Sequence, residues 1–372
     1  MTTTMTTDTA KAYQRGKDLF FYTDLFLNII FLVMLMVSGF SVSLRNWAAT
    51  RTANAYFLNA FYFAVLYGLM FLLFLPVNFF QEYIWEHKFN LSTRRIFSWL
   101  GDHLKKSLLG FALTILVVEV VYLFLTCFPT TWWIWASVFW LFLTIVLSRI
   151  TPSVIIPLFY KYSPVQDENL RAGILEIFKQ CGLKIKDVYL IDLSKKTKKA
   201  NAFICGLGAS RRIVLSDTLV SNYTIPEIET VVAHEIGHHQ HKDIWRLMAV
   251  NTATTFLGFF LMDKFLNYAL VRLNLGRIDD IAFFPVLALG MMIFNFLAMP
   301  FLNAFSRRIE VRADEFSLNL TKNPQSFISM MEKLGVQNFA EFEPHWLKEW
   351  MFYDHPSIAK RIKLAANFNP AV

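Results

Sequence analysis

Six long apolar stretches constrain this chain more than any other feature. They cover roughly 20–44, 55–80, 107–128, 132–152, 245–270 and 281–304. An α-helix needs about 20 mostly apolar residues to cross the hydrocarbon core of a bilayer, so each stretch predicts a transmembrane helix. The composition agrees, since 55% of the residues are hydrophobic, more than is usual for a soluble protein. The sequence predicts a mainly α, multi-pass membrane protein with about six spans.

Two polar segments interrupt or follow these stretches. The first, about 161–243, lies between the fourth and fifth spans, and the second, about 305–372, follows the sixth. We expect both to form one small α+β domain. The chain would then divide into an N-terminal membrane region, 1–160, with four spans, and a second domain, 161–372, that includes the last two spans.

The distribution of basic residues predicts the orientation in the membrane, because Lys and Arg accumulate in cytoplasmic loops. The N-terminus and the second loop are both rich in basic residues, which are Lys11, Arg15, Lys17, Lys88, Arg94, Arg95, Lys105 and Lys106. Six spans then place both polar segments on the cytoplasmic side.

Several polar residues lie within the predicted spans: Asp24, Asn28, Asn59, Glu119, Asn251, Asp263 and Asn295. An ionisable side chain in hydrocarbon is costly and normally faces other protein groups or water. Two interpretations stay open: a hydrated chamber between the helices, and local pairing between spans or snorkelling of the side chains to an interface.

The first polar segment alternates between two kinds of pattern. VYLIDL (188–193) and RIVLSDTLV (212–220) are rich in β-branched residues and favour strands, and NAFICG (201–206) is a shorter apolar run. From Ile225 onward the apolar positions recur with helical spacing, and Pro226 suits the first turn of a helix. The stretch VVAHEIGHHQHKDIW (231–245) therefore begins on a helix.

That helix carries the pattern of a metal site. His234 and His238 are four residues apart and share one face, and Glu235 projects beside them, the His-Glu-x-x-His arrangement of zinc hydrolases. Gly237 would let another element approach closely. The alternative is a polar helix that merely enters a membrane span.

A third ligand must come from elsewhere. His241 lies seven residues from His234, about 10 Å along a helix, too far to share one ion, and His239 points away from the pair. Glu310 and Asp314 lie one helical turn apart in SRRIEVRADEF (306–316). Glu310 could bind the metal, and Asp314 could hold the outer nitrogen of a ligand imidazole. Alone, this stretch would be a charged juxtamembrane helix.

The sequence resembles the membrane-embedded zinc metalloproteases represented by the type I CAAX prenyl protease, with the heat-shock membrane protease HtpX as a more distant relative. The resemblance runs from about Asn78 to the C-terminus. Beyond the zinc motif it is carried by EHKFNLST, IIPLFYKYSP, NAFICG, RRIVLSDTL, SRRIEVRAD and YDHPSIAKRI, which follow in the family's order.

The resemblance implies roles for individual residues. His234, His238 and Glu310 would bind one zinc ion per chain, Glu235 would be the catalytic base, and Asp314 would hold a ligand histidine. Three further residues would hold the substrate backbone or the oxyanion: Asn201, His355 and Arg361. The alternatives are a turn residue for Asn201, a helix cap for His355 with Pro356, and a pairing with a surface acid for Arg361. A short edge strand that includes Ala202 and Phe203 could pair with an extended substrate.

Two departures from the family bear on the substrate. Its eukaryotic members have a seventh span near the N-terminus, whereas this chain shows six. A histidine often precedes the matching asparagine in the family, whereas this chain has Lys199 within KKTKK. That basic cluster lacks any base-reading or aromatic-interleaved motif, so we expect no nucleic-acid partner and favour contact with anionic headgroups or solvent.

The predicted function is that of an integral-membrane zinc metalloendopeptidase. Its partners would be the bilayer and a peptide or protein substrate, either membrane-associated or lipidated. Two alternatives stay open: a broad quality-control protease of membrane proteins, and a non-enzymatic membrane protein with a structural zinc. The chain has no acidic insertion before the zinc helix and no organelle signal in its tail, which favours a prokaryotic cytoplasmic membrane.

Overall fold

The computed structural model describes residues 2–206, 211–273 and 277–369. Within them, six helical segments are long and apolar enough to cross a membrane, which confirms the predicted number. They are Asp8–Val37, Ala55–Lys88, Ile96–Cys127, Trp132–Leu158, Asp243–Leu270 and Ile281–Thr321.

The α-helices of the membrane region are α1 (Thr2–Val37), α2 (Phe40–Ala49), α3 (Ala55–Phe79), α4 (Glu86–Lys88), α5 (Ile96–Cys127) and α6 (Trp132–Ile150). The remainder of the chain forms α7 (Glu168–Gln180), α8 (Asp217–Asn222), α9 (Ile225–Gln240), α10 (Asp243–Leu273), α11 (Phe284–Thr321), α12 (Pro324–Gln337), α13 (Trp346–Phe352) and α14 (Ile358–Ala366).

The first span ends earlier than the predicted 20–44. Helix α1 stops at Val37, and α2 begins at Phe40. Gly39 between them has φ +68°, a left-handed conformation that glycine adopts without a steric cost, so the chain turns there. The ten residues of α2 extend only about 15 Å, too short to cross a bilayer.

The sheet has the strand order β1-β2-β4-β3, from β1 (Tyr162–Pro164), β2 (Val188–Ile191), β3 (Ala202–Cys205) and β4 (Arg212–Ser216). β2 and β4 are parallel, the two outer pairs are antiparallel, and β3 lies at an edge. The predicted strand 212–220 was too long: its last four residues begin α8, because the Ser216 side chain caps that helix by accepting the Leu219 N–H at 3.1 Å.

Both polar segments contribute to one hydrophobic core. Ile174, Val188 and Val232 from the first segment pack in the same cluster as Phe327 and Met330 from the second. The cluster joins the sheet to the helices around it, so the two segments, although separated by two spans, hold each other in place.

Two acidic residues of the spans pair with neighbouring spans, and two asparagines line a cavity between spans. Asp24 accepts a hydrogen bond from Gln81, and Asp263 from the indole of Trp132, each at 2.9 Å, which is local pairing. Asn251 and Asn295 instead line a mostly apolar cavity of about 660 Å³ between α5, α6, α10 and α11.

Candidate metal centre and substrate edge

Helix α9 starts with a capping box that fixes the register of the zinc motif. The Thr224 N–H donates to the Glu227 carboxylate at 2.8 Å, and Thr224 caps the helix in return. The helix then runs without a break to Gln240, so His234 and His238 lie one turn apart on one face.

Helix α11 brings the third candidate ligand to this face. It is continuous from Phe284 to Thr321, so the sixth span and Glu310 belong to one helix. It approaches α9 closely at Gly237, where an added Cβ would lie 3.2 Å from the Cα of Ala313 and 3.2 Å from Phe316. A glycine at this position permits the approach, as the sequence suggested.

The three side chains converge on one point. His234 Nε2 and His238 Nε2 are 3.1 Å apart, and each lies 3.3 Å from a carboxylate oxygen of Glu310. Within the described part of the chain, they form one group of three potential ligands whose atoms lie within 4.8 Å of one another.

This geometry fits a tetrahedral zinc site. With metal–ligand bonds of about 2.0 Å, neighbouring ligand atoms on a tetrahedron are about 3.3 Å apart, close to the three distances observed. Among the described residues, Glu310 Oε2 is buried and lacks a well-aligned hydrogen bond. A cation between the three side chains would complete its coordination, so these residues fit zinc.

Each ligand histidine is held on its outer nitrogen by a carboxylate. His234 Nδ1 lies 2.8 Å from Asp314, and His238 Nδ1 lies 3.0 Å from Asp243. Both pairings leave the inner Nε2 atom free to face the metal. Asp314 contacts the outer nitrogen of His234, and the matching contact of Asp243 with His238 was not predicted from the sequence. The acid follows His238 by five residues, and its position depends on the turn at Lys242, which has φ +55°.

The cluster strongly favours a positive charge. Burial alone would lower the pKa of His234, but Asp314 and Glu310 outweigh it and raise that pKa to about 9. The Glu310 carboxylate contacts both imidazoles, so it lies where it would balance a positive charge between them. An ionised carboxylate and two imidazoles are the ligand types that zinc prefers.

Arg361 pairs with Asp314 through two hydrogen bonds, one of 2.7 Å from Nε, and both side chains are buried. Its guanidinium also lies 3.5 Å from His234 Nδ1. Through Asp314 it therefore positions His234, a contact that the sequence did not predict.

Glu235 faces a small cavity of about 200 Å³ beside the ligands. Asn201, Ala202, His355 and Arg361 line the same cavity, so the structure brings together most of the residues predicted to meet the substrate. Burial raises the pKa of the Glu235 carboxyl above its ordinary value, which makes the carboxylate a stronger base.

His355 reaches the centre from the loop before α14. Its Nε2 lies 3.3 Å from Glu310 Oε2, and Nδ1 pairs with Asp354 at 2.7 Å. The side chain remains half exposed. It does not belong to the group of three ligand atoms, and it stands at the open side of the site, where a bound carbonyl could reach it.

Edge strand β3 offers main-chain groups to the same cavity. Asn201 accepts from the Ser216 N–H at 2.9 Å, so residue 201 directs its carbonyl toward β4. Because main-chain direction alternates along an antiparallel strand, the register puts the groups of Ala202 and Ile204 on the free edge and those of Phe203 toward β4. The Phe203 side chain packs on the sheet face opposite α9, against Val214 and Ile191.

The other two histidines of the motif stay apart from the ligand group. His241 follows the last residue of α9 and packs against the ring of Phe316, 5.7 Å away. His239 is partly buried on another side of the helix, and burial lowers its pKa.

Two family models match the chain. Residues 164–368 match peptidase family M48, and residues 2–161 match the family described as CAAX prenyl protease N-terminal, five membrane helices. The described residues of the second match include four of the six candidate spans.

Curated relatives agree with the family models. An uncharacterized metalloprotease of Bacillus subtilis, YhfN, is 29% identical over 96% of this chain and 84% of its own length. CAAX prenyl protease 1 of Saccharomyces cerevisiae is also 29% identical, over 77% of this chain and 67% of its own length.

Similarity to a solved structure extends to the whole fold. The crystal structure of S. mikatae Ste24p superposes with a TM-score of 0.85 at 24% identity, covering 98% of this chain and 89% of that one. With the family match over more than half of the chain, this chain belongs to peptidase family M48 and is a multi-pass membrane metalloprotease.

Proposed function

We propose that this protein is a zinc endopeptidase that cleaves extended peptide segments held along β3. The observation that carries the proposal is the convergence of His234, His238 and Glu310 beside a cavity shared by Glu235 and edge strand β3. A paired edge strand would hold a substrate through its main chain, which gives affinity with little sequence preference.

The chain's own side chains would then perform the proton transfers. Zinc, when bound to the three ligands, supplies a Lewis acid that lowers the pKa of a water and polarises a peptide carbonyl. The Glu235 carboxylate would accept the proton of the attacking water and pass it to the departing amine. His355 would donate a hydrogen bond to the oxyanion as it forms.

Arg361 has a different role in this proposal from the one that the resemblance implies. Two of its donors are already committed to Asp314. It would therefore position His234 through Asp314 and contribute positive charge near the cavity, while His355 and the Asn201 carboxamide would meet the substrate directly.

A catalytic site explains the ligand number better than a structural one. Structural zinc sites in proteins have four protein ligands, whereas catalytic sites have three and an open position. The described residues supply three, and the open side of the cluster faces Glu235 and His355. A glutamate beside the ligand pair has no purpose in a scaffold.

The location of the site supports a proposal for the substrate class. The ligands lie on helices next to membrane spans, and the similar yeast protein is named a CAAX prenyl protease. We propose that membrane-associated or lipidated peptides are cleaved on the cytoplasmic side by a metalloprotease domain, 161–372, with the membrane region, 1–160, beside it. Broad cleavage of membrane proteins is the alternative.

Cleavage by purified protein in nanodiscs tests the proposal. One unstructured peptide, with and without a C-terminal farnesyl group, is incubated before chelation, after chelation and after one equivalent of zinc is restored. We expect cleavage to stop on chelation and return with zinc. Cleavage that persists without metal would contradict the proposal. A kcat/KM higher for the farnesylated peptide supports lipidated substrates, and equal values support broad cleavage.

A further inference from the structure

We propose that α13 is an interfacial membrane helix that sets the height of the His355 loop relative to the bilayer. Its apolar face is Trp346, Leu347 and Trp350, at helical spacings of one and four residues. These side chains are 69%, 42% and 41% exposed, an unusual amount of aromatic surface for seven residues outside the candidate spans.

Contacts with two spans fix the level at which α13 lies. The ring of Trp350 is 6.4 Å from that of Phe301, which is 71% exposed on the sixth span. The ring of Phe352 is 5.2 Å from that of Phe21 near the start of the apolar part of α1. Trp350, on the apolar face of α13, therefore adjoins the lipid-facing surface of the sixth span, and Phe352, on the opposite side of α13, contacts α1.

The polar side of α13 marks the water side of this boundary. Lys348 pairs with Asp18 of α1 at 2.7 Å and with Glu341 at 2.9 Å. Asp18 directly precedes the apolar stretch of α1, so the ion pair marks the boundary between water and the membrane. The exposed tryptophans would lie on the membrane side of that boundary. Tryptophan is enriched at that level in membrane proteins because its ring is apolar and its N–H is polar.

The same helix is firmly tied to the catalytic loop. Arg307 of α11 donates to the carbonyl oxygens of Glu349, at 2.9 Å, and of Tyr353. The Glu349 carboxylate is buried, accepts the Ser357 N–H at 3.2 Å and pairs with Lys360 at 2.7 Å. His355 lies between these attachments, so α13 and the His355 loop must move together.

Spin-label accessibility tests the location of α13 directly and needs no activity. Leu347→Cys, Phe301→Cys and Val336→Cys would be labelled separately in a Cys127→Ser, Cys181→Ser background, in which Cys205 is buried. The proteins are placed in nanodiscs of phosphatidylcholine and phosphatidylglycerol. Phe301 serves as the lipid reference, and Val336, half exposed on α12, as the water reference.

We expect the label at position 347 to collide frequently with oxygen and rarely with a water-soluble nickel chelate, as the label at position 301 should. The label at position 336 should collide rarely with oxygen and frequently with the nickel chelate. A nickel-accessible label at 347 would overturn the proposal. A label shielded from both reagents would also overturn it, because α13 would then cover another protein surface, such as a second copy.

A second experiment tests the effect on the loop, and this part rests on the proposed function. Trp346→Ser with Trp350→Ser should slow cleavage of a membrane-anchored peptide and leave cleavage of a soluble peptide unchanged. Val336→Ser, the matched control, should change neither rate. Equal slowing of both peptides, or of neither, would refute the link between α13 and the loop. Failure of the wild-type protein to cleave either peptide would refute the proposed function and leave the label experiment decisive for the location of α13.

Discussion

At the scale of single residues, the proposed metal centre depends on two carboxylates outside the group of three candidate ligands. His234 is fixed by Asp314 and His238 by Asp243, so each imidazole presents Nε2 to the same point. The two acids differ in what surrounds them. Asp314 is bound to the buried Arg361, whereas Asp243 pairs with Arg312 and Arg246, which are partly exposed.

This difference predicts separable effects of two substitutions. Asp243→Ala and Asp314→Ala should each reduce zinc affinity by about 10- to 100-fold, as expected for loss of a carboxylate that orients a ligand. Asp314→Ala should also lower the free energy of unfolding by about 3–5 kcal/mol, because it leaves Arg361 buried without its partner. Zinc titration measures the affinity of both variants, and thermal unfolding measures their stability. Equal loss of stability in the two variants would contradict the distinction.

Glu235 has a role that can be separated from metal binding. Glu235→Gln keeps the shape of the side chain but cannot accept a proton, so we expect hydrolysis to fall by about 10²–10⁴-fold with zinc content unchanged. Peptide cleavage and elemental analysis on one preparation measure both. A variant that keeps more than about a tenth of the wild-type rate would exclude Glu235 as the general base.

At the scale of secondary-structure elements, the site depends on how closely α9 and α11 pack. Gly237 leaves room for Ala313 and Phe316, and the ligands lie on these two helices on either side of that contact. Helix separation therefore determines whether Glu310 reaches the histidines.

Gly237→Ala tests this dependence. The new methyl group would meet the α11 backbone at 3.2 Å, so the helices must separate by a few tenths of an ångström. Overpacking costs about 1–3 kcal/mol, and the better helix propensity of alanine returns about 1 kcal/mol. We expect little change in thermal stability but weaker zinc binding, measured by competition with a chelator. Gly68→Ala, on a helix face with open space, is the control, and unchanged zinc affinity in Gly237→Ala would contradict the account.

Local patterns predicted much of this fold, and tertiary contacts explain what they missed. Long apolar runs predicted six spans because each run alone satisfies the length of a bilayer. The spacing of His234 and His238 placed them on one helix face. By contrast, the break at Gly39, the start of α8 within a predicted strand and the pairing of Arg361 with Asp314 depend on backbone conformation or on residues far apart in sequence. No local pattern indicates them.

At the scale of the whole molecule, the metal would be bound by residues from two segments on the same side of the membrane. Two crossings of the bilayer separate these segments along the sequence. His234 and His238 lie before the fifth span, and Glu310 lies near the C-terminal end of the helix that forms the sixth, beyond its apolar stretch. The chain must therefore cross the bilayer twice between its ligands and return to the same side. The continuous helix α11 makes this return rigid, since it carries both the sixth span and Glu310.

The central claim is that one zinc ion is held by His234, His238 and Glu310, and zinc content per chain tests it most directly. Elemental analysis of protein purified without chelator should give one zinc per wild-type chain. Glu310→Ala should lose most of that zinc together with activity, while His241→Ala, outside the ligand group, should retain both. Zinc retained by Glu310→Ala and lost by His241→Ala would contradict the account, because α9 would then have to break after His238.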